Sequence, residues 1–232
     1  MSTYSSDLKL ELIGTGEASG TWGADTNNNL NLIQQAVAGY QAIDVASGDV
    51  TLAMTNKTIS NGRNMTLEFT GTLAGNRIVN FPASLEKVFN VIDSTNHANY
   101  TLTFKVTSAT GFLLCEGNSY LCHSNGTDIF KDLEFRKWRV ITAAETIQAG
   151  AQMLVNTNGG AVTATLPANP LTGDTVSFID QGYDFNSNAL TVGRNSKNIA
   201  NAAADLVVNT QGAGFGLVWS GDATTGWTYT EK

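Results

Sequence analysis

The sequence predicts a mainly β protein: an N-terminal arm with one short helix, then two tandem antiparallel domains of β-sandwich or jelly-roll type. Three observations predict it. The composition is rich in turn residues and poor in charge. Short apolar runs recur, divided by Gly, Asn and Asp. The two halves of the chain carry similar motifs in the same order. Of 232 residues, 42% are hydrophobic and only 14% are charged, with 23 glycines and 3 prolines. A charged share of about a quarter is usual, so this surface is hydrated by amides and hydroxyls. Gly and Asn tolerate positive φ and suit tight turns. The length admits an arm over residues 1–40 and β domains over residues 41–135 and 136–232.

Met1 to Asp7 is small and polar and reads as a flexible or partner-ordered tail. Leu8-Lys9-Leu10-Glu11-Leu12 alternates apolar and charged residues, which is strand periodicity. A glycine-rich turn follows. Asp25 or Thr26 can cap a helix over residues 27–38, with Gly39 just past its end. Leu30, Ile33, Ala36 and Val37 fall on one face of that helix. So short a helix is marginal alone, so packing against something must hold it.

Candidate strands of the first β domain lie at residues 42–45, 50–54, 64–69, 77–81, 87–92, 100–106, 111–115 and 119–123. Short strands at this spacing favour a sandwich or barrel over parallel βαβ units. Residues 132–146 read as the joint, a solvated connector carrying Arg136, Lys137 and Arg139 beside Lys131. Candidate strands of the second domain lie at residues 151–156, 162–166, 174–179, 189–193, 204–209, 214–219 and 226–230.

The halves read as copies. Asn64-Met65 resembles Gln152-Met153, and Phe81-Pro82-Ala83 resembles Leu166-Pro167-Ala168. Val91-Ile92-Asp93 resembles Phe178-Ile179-Asp180, and Tyr100 to Phe104 resembles Asn188 to Val192. Ser124-Asn125-Gly126 resembles Ser220-Gly221-Asp222. A module built twice suits a spacer or platform better than one catalytic pocket.

Chemistry is sparse. A net charge of -7 argues against duplex nucleic acid, whose binders neutralise phosphates. No run approaches the ~20 apolar residues that span a bilayer, and the N-terminus has no signal-peptide core; a soluble protein is expected. Cys115 and Cys122 read as free thiols, and two cysteines with at most His123 beside them do not make a metal site. Gly14, Gly16 and Gly20 miss the dinucleotide spacing, so no cofactor is expected. Asp25 to Asn29 opens like a calcium loop, but Leu30 and Ala36 stand where Gly and Glu are needed. His97 lies in a polar turn and reads as a surface loop residue. No Gly-x-Ser-x-Gly elbow occurs. Asp180 and Asp184 are the most tempting carboxylate pair for glycoside hydrolysis, though a solvated turn is the preferred reading. Trp219, Trp227 and Tyr229 could stack on sugar rings, with core packing preferred. No catalytic residue is assigned.

One stretch is less generic. Leu8 to Glu17, then Gly20-Thr21-Trp22-Gly23 and the segment Asn27 to Gly39, resembles the N-terminal module of virion structural and tail-fibre-like proteins of tailed phages, especially marine cyanophages. Val155 to Ala168, Leu190 to Asn195 and Asn198-Ile199 are similar to modules of the same group. The resemblance covers most of the chain. It implies a non-enzymatic virion protein made in the bacterial host cytoplasm, a homotrimer attached to other virion proteins through its N-terminal segment. Leu10, Leu12, Ile13 and Trp22 are the expected docking anchors. A chain ending at Lys232 favours a short tail or neck fibre or an adaptor. A capsid decoration protein and a host-recognition adhesin binding surface glycan through Trp219, Trp227 or Tyr229 are the alternatives. Neither nucleic acid nor membrane insertion is implied.

Overall fold

Alternation sets the strands. In Thr66–Thr72, Leu67 and Phe69 are buried while Glu68 and Thr70 face outward. The computed structural model describes residues 3–230 and contains twenty such strands, most of them short. They do not build two sandwiches or jelly rolls. The chain is a β-solenoid of about 6 turns, in two compact units. Unit one runs through Leu114 and resumes over Asn118–Phe135; unit two takes Cys115–Gly117 and continues from Arg136.

Unit one opens with β1 (Thr3–Tyr4) paired to β2 (Glu11–Leu12), followed by α1 (Trp22–Ala38). Three coils follow, each one strand in each of two walls. The first is β3 (Tyr40–Asp44) and β4 (Val50–Thr51), the second β5 (Thr66–Thr72) and β6 (Arg77–Phe81), the third β7 (Glu86–Asn96) and β8 (Leu102–Val106). Within a wall the neighbours are parallel: β3 beside β5 beside β7, and β4 beside β6 beside β8. A fourth coil then runs backwards. β9 (Phe112–Leu113) lies antiparallel to β8, and β10 (Ser119–Asn125) antiparallel to β7. β11 (Ile129–Phe135) folds back on β10 as a hairpin.

Unit two repeats this wiring. Its parallel coils are β12 (Trp138–Ile141) with β13 (Glu145–Thr146), β14 (Gln152–Val155) with β15 (Val162–Thr165), and β16 (Thr175–Asp180) with β17 (Leu190–Gly193). The reversed coil is β18 (Leu206–Val208) and β19 (Gly214–Trp219), and β20 (Trp227–Tyr229) closes it as a hairpin. The five motif matches between the halves all fall on equivalent elements, so the duplication is real at the level of topology.

Alternation alone does not separate a sandwich from a solenoid, because both bury one face of every strand. Parallel strands need a long crossover, and the sequence shows no helices to supply it. Here the crossover is itself a strand of the opposite wall. Tyr40 lies beside Thr66 and Thr66 beside Asn90, steps of 26 and 24 residues. In unit two the first step shortens to 14, from Trp138 to Gln152. Such uneven steps hide the repeat from sequence.

The core of unit one is aromatic. Phe81 stacks on Phe89, with ring centroids 5.3 Å apart, and Phe104 meets Phe69 and Phe89 edge-on. Unit two packs Phe178, Phe185, Trp219 and Trp227 inside. The joint expected over residues 132–146 is strand instead. Lys131 pairs with Glu134 and covers the Tyr120 ring, and Arg139 forms ion pairs with Glu145 and Glu116.

Two local expectations change. The tail is not free where it is described: Thr3 and Tyr4 pair with Leu12 and Glu11, while Met1 and Ser2 lie outside the described residues. The helix starts five residues earlier than expected, at Trp22, with Thr21 at its N-cap position. Thr21 Oγ1 donates to Asp25 Oδ2 at 2.9 Å, so Asp25 serves inside the first turn, where carboxylates favour the helix dipole. Gly39 ends the helix in an extended conformation, not a left-handed one. Its necessity is steric: a Cβ there would sit 2.3 Å from Gln35 O and 2.4 Å from Asn64 Oδ1.

Candidate functional site

The N-terminal segment is clamped to the first coil of unit one by two cations. Arg63, in the short 3-10 turn Asn61–Arg63, is fully buried. Its Nε donates to Leu8 O at 3.0 Å, Nη2 to Thr55 O at 2.7 Å, and Nη1 to Gln35 Oε1 at 3.2 Å and to Thr58 O. One guanidinium thus ties arm, helix and loop together. Its planar fork can satisfy carbonyls in several directions at once, which a lysine cannot. Burial pulls its pKa below the ordinary arginine value.

Lys57 is the second cation. Its Nζ lies 2.6 Å from Glu11 of the arm and 2.6 Å from Asp25 of α1, while its backbone N–H donates to Lys9 O at 3.0 Å. Bonds to Asp25 and then Glu11 raise the Lys57 pKa, and Lys57 in turn lowers that of Asp25. Glu17 accepts from the Gly14 backbone N–H at 3.1 Å, which depresses its pKa. These groups line a cavity of about 210 Å³. Asn29 closes the clamp: its side chain accepts from Glu11 N at 3.0 Å and donates to Glu11 O at 2.8 Å. Asn28 donates to Lys57 O, and Gln35 to Ser60 O.

The four expected anchors separate on this frame. Leu10 and Ile13 are half-buried, whereas Leu12 is 51% and Trp22 63% exposed. The helix face that sequence assigns to packing is mostly outside. Of Leu30, Ile33, Ala36 and Val37 only Ala36 is buried, and Leu32 supplies the other buried contact. The helix is held by amides on its inner side, which is what Asn28 and Asn29, with Gln35, encode.

Two buried carboxylates occupy equivalent places in the units. The ladder Ile43, Phe69, Asp93 in unit one matches Ile141, Val155, Asp180 in unit two. Asp93 accepts from Thr95 N at 3.1 Å and Thr95 Oγ1 at 2.6 Å, and lies 2.8 Å from His97 Nε2. His97 is therefore buried beside a carboxylate rather than exposed in a loop. Asp180 accepts from the backbone N–H groups of Asp184 at 3.2 Å, Phe185 at 3.3 Å and Gly212 at 2.9 Å. Three donors aimed at one buried carboxylate make it an organiser of the loop after β16. Asp184 is spent on Asn188, 2.9 Å away.

The aromatic trio also separates. Trp219 and Trp227 are buried in unit two with ring centroids 5.9 Å apart, as core packing requires. Tyr229 alone is open to solvent in part, at a cleft of about 330 Å³ with Leu206, Val208 and Phe215. Both cysteines are buried as thiols, and burial pushes the Cys122 thiol up to about 12. Among the described residues no group of three or more His, Cys, Asp or Glu side chains could hold a metal ion, and no helix is long and apolar enough to cross a membrane.

No family model and no curated protein matches the chain. Among solved structures, a chain of "Structure of a chaperone-substrate complex" is similar, with a TM-score of 0.38 and 14% identity over 82% of this chain. This chain spans 31% of that one.

Sequence reasoning missed Arg63, Lys57, Asp93 and the orientation of α1. Only the repeated Val91-Ile92-Asp93 and Phe178-Ile179-Asp180 motif carried a usable signal for the buried carboxylates.

Proposed function

We propose that this is a non-enzymatic structural protein of a tailed-phage virion, a short tail or neck fibre or an adaptor, attached to the particle through its N-terminal segment as a homotrimer. The observation that carries this reading is the contrast within the segment itself. Its backbone is fixed by Arg63 and Lys57, yet Leu12 and Trp22 are left in water. A rigidly held segment with exposed large apolar side chains is pre-organised for docking, since little entropy remains to be lost on binding. The resemblance of residues 8–39 to phage virion modules names the kind of partner. The rest of the chain supports a spacer: two copies of one coil stack, with side chains of Asp93 and Asp180 committed to structure.

The experiment is particle incorporation. Leu12→Ala with Trp22→Ala alters only exposed side chains and should leave folding intact while reducing the amount found on purified particles at least tenfold. Normal incorporation of that double variant would end the docking role of this segment.

A further inference from the structure

Helix α1 is amphipathic the wrong way round for a helix packed on its own chain. Its inner side carries Asp25, Asn28, Asn29 and Gln35, each bonded to the arm or the loop, with only Leu32 and Ala36 buried between them. Its outer side carries Leu30, Ile33 and Val37, which are 57%, 39% and 69% exposed. At about 100° per residue these three fall within roughly 60° of one another. The steps from Leu30 to Ile33 to Val37 are three and then four residues, the a–d–a spacing of helices that meet along a seam.

We propose that this stripe is where copies of this chain meet, α1 against α1, parallel and in register. The proposal rests on the homotrimer reading and gives it an interface. The charge pattern favours a second copy as the occupant. Each chain has a net charge of -7, so most of its surface repels its own kind. α1 has one ionisable side chain, Asp25, and Lys57 already neutralises it on the inner side. Asn27 and Gln34, exposed beside the stripe, are neutral amides. Leu at a with Ile at d also favours assemblies of more than two helices. Two turns of seam are too few to fold isolated helices. Here the helix is already held by its own chain, so association does not bear the cost of forming it.

The test uses the full chain in sedimentation equilibrium at micromolar concentration. Wild type is expected at a multiple of the monomer mass. Leu30→Glu with Val37→Glu, both at exposed positions, should weaken association at least a hundredfold while circular dichroism stays unchanged. A second pair of variants reports geometry. Val37→Cys should form an inter-chain disulfide under a copper oxidant, and Asn31→Cys, exposed on another side of the helix, should not; the native thiols are buried. A monomeric wild type overturns both the trimer and the seam, and binding of an unlike virion protein by that monomer would reassign the stripe. An oligomer that survives the double substitution, with no Val37→Cys cross-link, overturns the seam and leaves the trimer standing.

Discussion

Units one and two share a wiring diagram and differ at their first coil. Unit one begins with an arm, a helix and a loop gathered on Arg63 and Lys57. Unit two begins with two short strands and Arg139, which bonds Glu145 and lies 3.8 Å from Glu116. The second and third coils correspond closely, down to the carboxylate at the end of the inward ladder. The arm, helix and loop of unit one thus elaborate a coil where insertions disturb only one neighbour, as expected of stacked repeats, while unit two carries its longer loops after β16 and β17. The shared part reports on the common fold, and the elaborated part carries the clamp on the N-terminal segment.

Substitutions can break that division. The largest effect is expected from Arg63→Ala. It removes a buried cation and strands the carbonyls of Leu8, Thr55 and Thr58, which should lower stability by about 3–5 kcal/mol in denaturant titration. If unit one also loses its arm, hydrogen exchange at Glu11 and Leu12 will rise while exchange in unit two stays unchanged. A uniform rise across both units would instead deny the units their separateness.

Next come the paired carboxylates. Asp180→Ala leaves one buried and two partly buried N–H groups without their acceptor, and Asp93→Ala removes the partner of Thr95 and His97. Each should cost on the order of 2–3 kcal/mol. Similar losses would show that the copies use the position alike. A loss below about 0.5 kcal/mol in one of them would mean that the shared motif has lost its role there.

A smaller effect separates the copies by pH. Lys87 of β7 has its ammonium half-buried above Phe89, donating to Asn64 O at 2.8 Å, and burial lowers its pKa to about 8. On Lys87 the folded state therefore binds fewer protons than the unfolded chain between about 8 and the ordinary lysine value, and the contribution of Lys87 to stability should rise with pH across that window. Lys87→Met should abolish the rise and stabilise the protein at neutral pH by on the order of 1–3 kcal/mol. Unit two holds Asp174 at the matching place, so no rise should come from it. Thermal melts at pH 7 and pH 10 measure this.

The strands were legible because alternation is local. Arg77–Phe81 and Gly214–Trp219 have the bounds that sequence assigns them. The winding was not, because parallel partners lie 14 to 29 residues apart and nothing in a short apolar run states which wall it joins. β11 escaped notice for a related reason. Its sequence, Ile-Phe-Lys-Asp-Leu-Glu-Phe, mixes charge into a strand with only its first residue fully buried. The alternation of Leu8 to Leu12 marks a strand, which forms at Glu11–Leu12, but the helix face that sequence assigns to packing lies mostly outside. An apolar stripe in a sequence says only that something covers it, not whether that cover is the same chain.

The reversed coils have a consequence for growth. A parallel stack ends in a free edge that can accept another coil of the same sense, and such an edge can propagate without limit. In each unit the chain turns back after its third coil and covers that edge with β9 and β10, or with β18 and β19, running the other way. The hairpin strand then occupies what the reversal exposes in one wall. The unit therefore counts its own coils: length is fixed by a change of direction in the backbone, without a ruler or a partner. Assemblies built from such units would grow in steps of constant height.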